Sequence, residues 1–252
     1  MILADRTILA PNLSLAWADA LTHLLDHRPH EVVNLVLRIE NPLVEDPAIR
    51  AIADELLVKL RLQEVNEVAN TIFPAEWAAD LSDPAVLAAD YREHYEFLQS
   101  LGSAQGTYFG RIVAYPDAKE KDPIDQLTMN VAKLKADGKR RRVYKSVYEF
   151  NIYSAARDRK KKRGFPCLAH VGMHIGPDER LNATAQYRYH DVVAKGYGNY
   201  LGLGGLLGYV ANAADREPGE LLVVAGGAFF DVGVSELRAV RALLDPLREA
   251  SR

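Results

Sequence analysis

Cysteine is nearly absent: Cys167 is the only one in 252 residues. A single thiol cannot close an intrachain disulfide, which fits a reducing, cytoplasmic setting. Long hydrophobic runs are absent too. No apolar stretch approaches the roughly 20 residues needed to span a bilayer, so no membrane partner is expected. The opening "MILADRTILAPNLSLAWADAL" lacks a basic segment followed by an uninterrupted apolar one, so no signal peptide is expected. Neither charge sign dominates. With 31 Lys+Arg against 34 Asp+Glu and a net charge of −3, the composition argues against a broad nucleic-acid face and against an acidic disordered tail. Internal repeats, low-complexity tracts and a clear linker are missing, which leaves a single domain over residues 1–252. His170, His174 and His190 have no Cys or carboxylate at ligand spacing, so no metal is expected.

Helix-like and strand-like segments are mixed without strict alternation. Residues 13–27 put Leu15, Ala18, Leu21, Leu24 and Leu25 on one face, which predicts an amphipathic helix capped by Asn12 or Ser14. "EVVNLVLRIENP" (31–42) predicts a strand, and "EDPAIRAIADELLVKLRL" (45–62) a helix with Pro47 in its first turn. Residues 64–77 are ambiguous. Residues 84–102 predict a helix stopped by Gly102. "GTYFGRIVAYP" (106–116) reads as loop and short strand, 122–138 as a helix capped by Asp122, and 142–155 as a long β segment. Residues 166–175 and 180–193 predict paired strands joined by the turn "GPDE". An apolar helix follows at 198–214, with glycines for close packing, then a strand at 219–232 and a helix at 234–250. The basic run "RKKKRGF" (159–165) reads as a solvated loop. The class expected is α+β, a mixed β-sheet with packed helices.

Cys167 does not stand alone. "DQLTMNVAKLKADGKRRR" ends in a run of basic residues at 139–142, and "PC" follows at 166–167. Arg188 and Asp191 are three apart in "YRYHD", and Asn199 in "GYGN" is eight beyond Asp191. The "PGE" turn and the "GG" strand come next. This ordered set, spanning roughly residues 105 to 232, resembles the thymidylate synthase superfamily, which includes the pyrimidine nucleotide hydroxymethylases.

The resemblance implies a thymidylate synthase-like fold and a homodimer through the sheet. It implies a pyrimidine nucleotide as substrate and 5,10-methylenetetrahydrofolate as one-carbon donor. C5 of a pyrimidine is a poor nucleophile, and adding a thiolate at C6 turns it into an enolate-like carbon. Cys167 matches that nucleophile. Arg188 matches a residue that activates the thiol and contacts phosphate. Asn199 matches the reader of the pyrimidine edge, since an amide both donates and accepts; it suits a uracil-type edge without excluding cytosine. Asp191 matches an aspartate near base and folate. Arg141 and Arg142 match paired arginines that reach the partner's phosphate across the dimer. Glu67 is matched to the glutamate that organises proton transfer, with Glu64 as the competing choice.

Departures from the family cluster in sugar and phosphate recognition. The His and Tyr that hold the ribose hydroxyl align with Phe230 and Val232, which offer no side-chain hydrogen bond. The Tyr of the family's "YG" aligns with Phe109, next to Tyr108, and the small hydroxyl residue after the phosphate-binding Arg becomes Tyr189. The expected activity is therefore one-carbon transfer to C5 with altered sugar or phosphate recognition, hydroxymethylation favoured over methylation, in specialised nucleoside metabolism. Two alternatives stay open: a repurposed, non-catalytic nucleotide- or partner-binding protein, and thiol-dependent C-methylation of a non-nucleotide ring.

Overall fold

The structure is a computed structural model that describes residues 7–100, 106–116, 122–137, 144–162, 164 and 166–250. Arg141 and Arg142 lie outside the described residues.

A mixed seven-stranded sheet organises the chain. Its order is β1 (Thr7–Asn12), β2 (Glu31–Asn41), β7 (Pro218–Phe229), β5 (Leu181–Tyr187), β4 (Leu168–Ile175) and β3 (Tyr148–Asn151), and the short β6 (His190–Asp191) also pairs with β7. β1 and β2 run parallel, as do β5 and β7; the remaining neighbours along the path are antiparallel. β4 and β5 form the hairpin expected around "GPDE". β3 is only four residues long, shorter than the β segment expected over 142–155.

The helices are α1 (Leu13–Asp26), α2 (Pro47–Leu60), α3 (Val65–Ile72), α4 (Ala75–Ala79), α5 (Pro84–Ser100), α6 (Tyr108–Val113), α7 (Gln126–Asp137), α8 (Ala155–Asp158), α9 (Tyr197–Ala213) and α10 (Val234–Ala250). Asn12 caps α1 by accepting from Leu15 N at 2.9 Å. Ser14, the other candidate cap, is buried and bonded to the Tyr197 hydroxyl at 2.7 Å. Asp46 caps α2 ahead of Pro47. Two expectations are corrected. Residues 108–113 are helical, because Thr107 caps them at Gly110 N and the burial of Phe109, Ile112 and Val113 overrides their β propensity. Helix α7 starts at Gln126, and Asp125 rather than Asp122 receives the Thr128 amide, at 3.0 Å.

α1 packs on β1 and β2, α9 on β5 and β7, and α6 and α7 on β3; α3 lies on α9, and α10 lies on α1 and α2. The buried side chains form one continuous core that includes Trp17, Leu37, Tyr148, Leu206 and Leu244. Along β7 the inward residues Leu221, Val223 and Ala225 are fully buried, while Glu220, Leu222, Val224 and Gly226 on the other face are half-buried or exposed. Among the described residues the sheet therefore has one face covered by helices and one face open. No helix among the described residues is long and apolar enough to cross a membrane.

Candidate functional site

Parallel strands β5 and β7 end beside the start of antiparallel β4, so three strands deliver their end residues to one edge of the sheet. A cavity of about 300 Å³ opens there. Cys167 enters it from just before β4, Tyr187 from the end of β5, Phe229 from the end of β7, Asp191 from β6 and Asn199 from the first turn of α9. Helix α3 supplies Val68 and Thr71 as a wall, and α6 supplies Tyr108 and Arg111. The sequence-predicted residues Cys167, Asp191 and Asn199 thus share one cavity.

Arg188 holds the segment carrying the thiol. Its backbone N–H donates to Cys167 O at 2.9 Å. Its guanidinium donates to Pro166 O from Nε at 3.0 Å and from Nη2 at 2.8 Å. The thiol itself is exposed. Beyond Arg188 the chain crosses β7 closely: Gly227 N donates to Arg188 O at 3.1 Å, and a Cβ on Gly227 would meet the Tyr189 ring at 2.6 Å. Only glycine lets Tyr189 lie there, stacked on Phe229 with ring centroids 4.2 Å apart. The Tyr189 hydroxyl donates to Glu31 Oε1 at 3.1 Å.

Asn199 is 4% exposed. Its Nδ2 donates to His190 Nδ1 at 3.5 Å, which makes Nε2 the protonated nitrogen of a neutral imidazole, donating to the Tyr200 hydroxyl at 3.0 Å. Burial drives His190 down to about 3, so it stays neutral near pH 7. The Asn199 amide keeps its oxygen and a second N–H for a ligand.

Asp191 accepts from Val193 N at 3.1 Å and Ala194 N at 2.9 Å, capping a π-helical turn, Val192–Gly196. Burial raises this carboxyl above its ordinary value, against the pull of those two amides. The same turn presents Lys195 to the cavity, where its amine bonds the Gln63 side chain. Burial lowers Lys195, while the charges of Asp191 and Glu67 oppose that shift. On the opposite wall, Arg111 is engaged by Asp158, with Nη1–Oδ2 at 2.5 Å and Nη2–Oδ1 at 3.1 Å. Burial, the largest single influence, would raise Asp158, but the Arg111 hydrogen bond, the Ser154 amide and the charges of Arg111 and Lys161 together hold the carboxyl below its ordinary range.

Glu67 is not brought onto the cavity. Val65, Val68, Ala69 and Ile72 form the buried stripe of α3, and Glu67 is exposed, reaching the site only through its charge on Lys195. Glu64 sits at the N-terminal boundary of α3, also exposed, though helical spacing puts it on the stripe of Val68 and Thr71. Phe229 lines the cavity, whereas Phe230 is buried against His30 and Val232 packs on the core. The histidines do not converge: His170 pairs with Glu149 at 2.6 Å on the open sheet face, and His190 is buried in the cavity wall.

Sequence reasoning missed Tyr187, His190 and Lys195 as cavity residues, although the first two flank Arg188 within "YRYHD". It named Tyr108 only as the neighbour of Phe109. The structure gives the cavity to Tyr108 and buries Phe109 between Phe73 and Tyr91. Burial first, and then the nearby Cys167, push the Tyr108 hydroxyl up to about 12, so it stays protonated near neutral pH. An accessible thiol, a neutral phenol and an oriented amide around one small cavity can add sulfur to an electron-poor ring and read its polar edge. No protein-family model matches the chain, and no curated protein matches it.

Proposed function

We propose that the chain transfers a one-carbon unit to C5 of a pyrimidine nucleotide through a Cys167 adduct at C6, with hydroxymethylation favoured over methylation. The observation that carries this reading is the convergence of Cys167, Asp191 and Asn199 on one cavity, with Arg188 clamping the thiol's segment. The thiol releases its proton to water, sulfur bonds to C6, and the C5=C6 electron pair is delocalised through C4, onto the C4 oxygen of a uracil or N3 of a cytosine. Without a one-carbon donor, C5 takes a proton from water instead, which is the exchange reaction. Loss of a C5 proton to water and expulsion of the thiolate restore the ring. Asn199 reads the edge of the base, with His190 fixing its amide.

The rim suits a folate donor. The 40% exposed Tyr189, backed by Phe229, offers a flat face to a planar ring, and Asp191 and Lys195 offer polar partners beside it. When bound, that donor supplies the carbon destined for C5. Loss of the sugar-binding His and Tyr, with Phe229 on the cavity instead, supports a substrate outside that of the housekeeping methylase. The open face of the sheet supports pairing of two copies through it; on the same reading the fold is thymidylate synthase-like, the homodimer is cytoplasmic, and Arg141 and Arg142 serve the partner's phosphate site.

A second reading, a non-catalytic nucleotide or partner binder, draws on the burial of Phe230, which removes one expected sugar contact. Deuterium exchange at C5 of UMP, dUMP, CMP and dCMP separates the two. Exchange that disappears in Cys167→Ala supports the enzyme. Nucleotide binding without exchange supports the binder, and silence in both assays points to a non-nucleotide ring.

A further inference from the structure

Thr22, Asn130, Tyr187 and Arg216 each hold a buried side-chain polar atom without a hydrogen-bond partner among the described residues. Only Tyr187 of these lines the cavity. It is 1% exposed, its ring lies 4.6 Å from that of His190, and it pairs across the sheet with Leu168, next to Cys167. An orphaned buried hydroxyl is costly, by comparison with a paired one, and calls for a function. Its surroundings also keep the phenol un-ionised: burial raises it well above the ordinary tyrosine value. A neutral O–H is a donor, and this one is held in a dry site beside the nucleophile.

We propose that the Tyr187 hydroxyl is a catalytic hydrogen-bond donor to the carbonyl oxygen that becomes negative when Cys167 adds to a conjugated ring. The proposal rests on the thiol-addition reading above and extends it to a named oxyanion donor. On a uracil, sulfur bonding to C6 sends the displaced electron pair to the C4 oxygen, and that oxygen takes the O–H that no group among the described residues accepts. Tyr187 lines the same cavity as the exposed Cys167. A donor already desolvated and fixed needs no reorganisation at that moment.

The test compares two small thiol reagents on the full chain. Acrylamide adds by conjugate addition and places charge on its amide oxygen. Iodoacetamide alkylates by displacement of iodide and places none there. In Tyr187→Phe the acrylamide rate at Cys167 should fall about tenfold or more, while the iodoacetamide rate stays within about twofold. Tyr200→Phe, which removes a hydroxyl bonded to His190, should leave that ratio near wild type. With a responsive pyrimidine, Tyr187→Phe should lower kcat for C5 exchange and leave KM nearly unchanged. An unchanged reagent ratio in a folded Tyr187→Phe protein overturns the donor role even if pyrimidine exchange is intact. A changed ratio with no exchange on any pyrimidine supports the donor and overturns the nucleotide reading.

Discussion

At the scale of single residues, His190 carries more of the site than its position in the sequence suggests. It is buried, neutral and wedged between Asn199 and Tyr200. Its folded-state value of about 3 lies below the ordinary 6.5. The unfolded chain therefore binds a proton as pH falls below about 6.5 and the folded chain refuses it. Stability is lost on acidification, at a slope that approaches about 1.4 kcal/mol per pH unit and ends near the folded value. Between pH 7 and pH 5, urea denaturation should show wild type losing about 2 kcal/mol more than His190→Gln. Equal losses would mean that His190 takes up its proton in the folded state. Cys167, Asp191 and Asn199 were legible in the sequence because their types and spacings travel together. Glu67 was not, because a glutamate match ignores helix phase: Val65, Val68, Ala69 and Ile72 turn it away from the cavity.

At the scale of elements, the wall of the site depends on how closely α3 approaches α9. A Cβ on Gly198 would come within 2.6 Å of Val65 O, and one on Gly202 within 2.6 Å of Ala69 O. The glycine-rich pattern of residues 198–214 was read from sequence as close packing, and these contacts bear it out. Gly202→Ala gains about 1 kcal/mol of helix propensity. Overpacking against a backbone oxygen costs about 1–3 kcal/mol or more, so the clash should dominate. The melting temperature should fall, by about 2–4 °C for each kcal/mol lost in a chain of this size. A variant melting at or above wild type would show that α3 can retreat without penalty. Helix α6 was illegible for the opposite reason. "YFGRIV" carries strand-forming residues, and only tertiary burial and the Thr107 cap make it helical.

At the scale of the whole molecule, the α+β class and the mixed sheet were legible from the order of segments. The strand order was not, because pairing β7 between β2 and β5 depends on contacts far apart in sequence. The open face sets Val36 opposite Val224, with Leu222 in the same β7 row and Leu9 exposed on β1. If that face joins two copies, wild type should scatter light as a dimer at micromolar concentration, and Val224→Lys should shift it toward monomer. A wild-type monomer would contradict the proposed assembly. The central claim is chemical, and C5 deuterium exchange in heavy water, read by NMR across UMP, dUMP, CMP and dCMP, tests it most directly. The account predicts exchange in at least one nucleotide with wild type and none with Cys167→Ala. Exchange that persists without the thiol, or a folded wild type that exchanges none of the four, would contradict it.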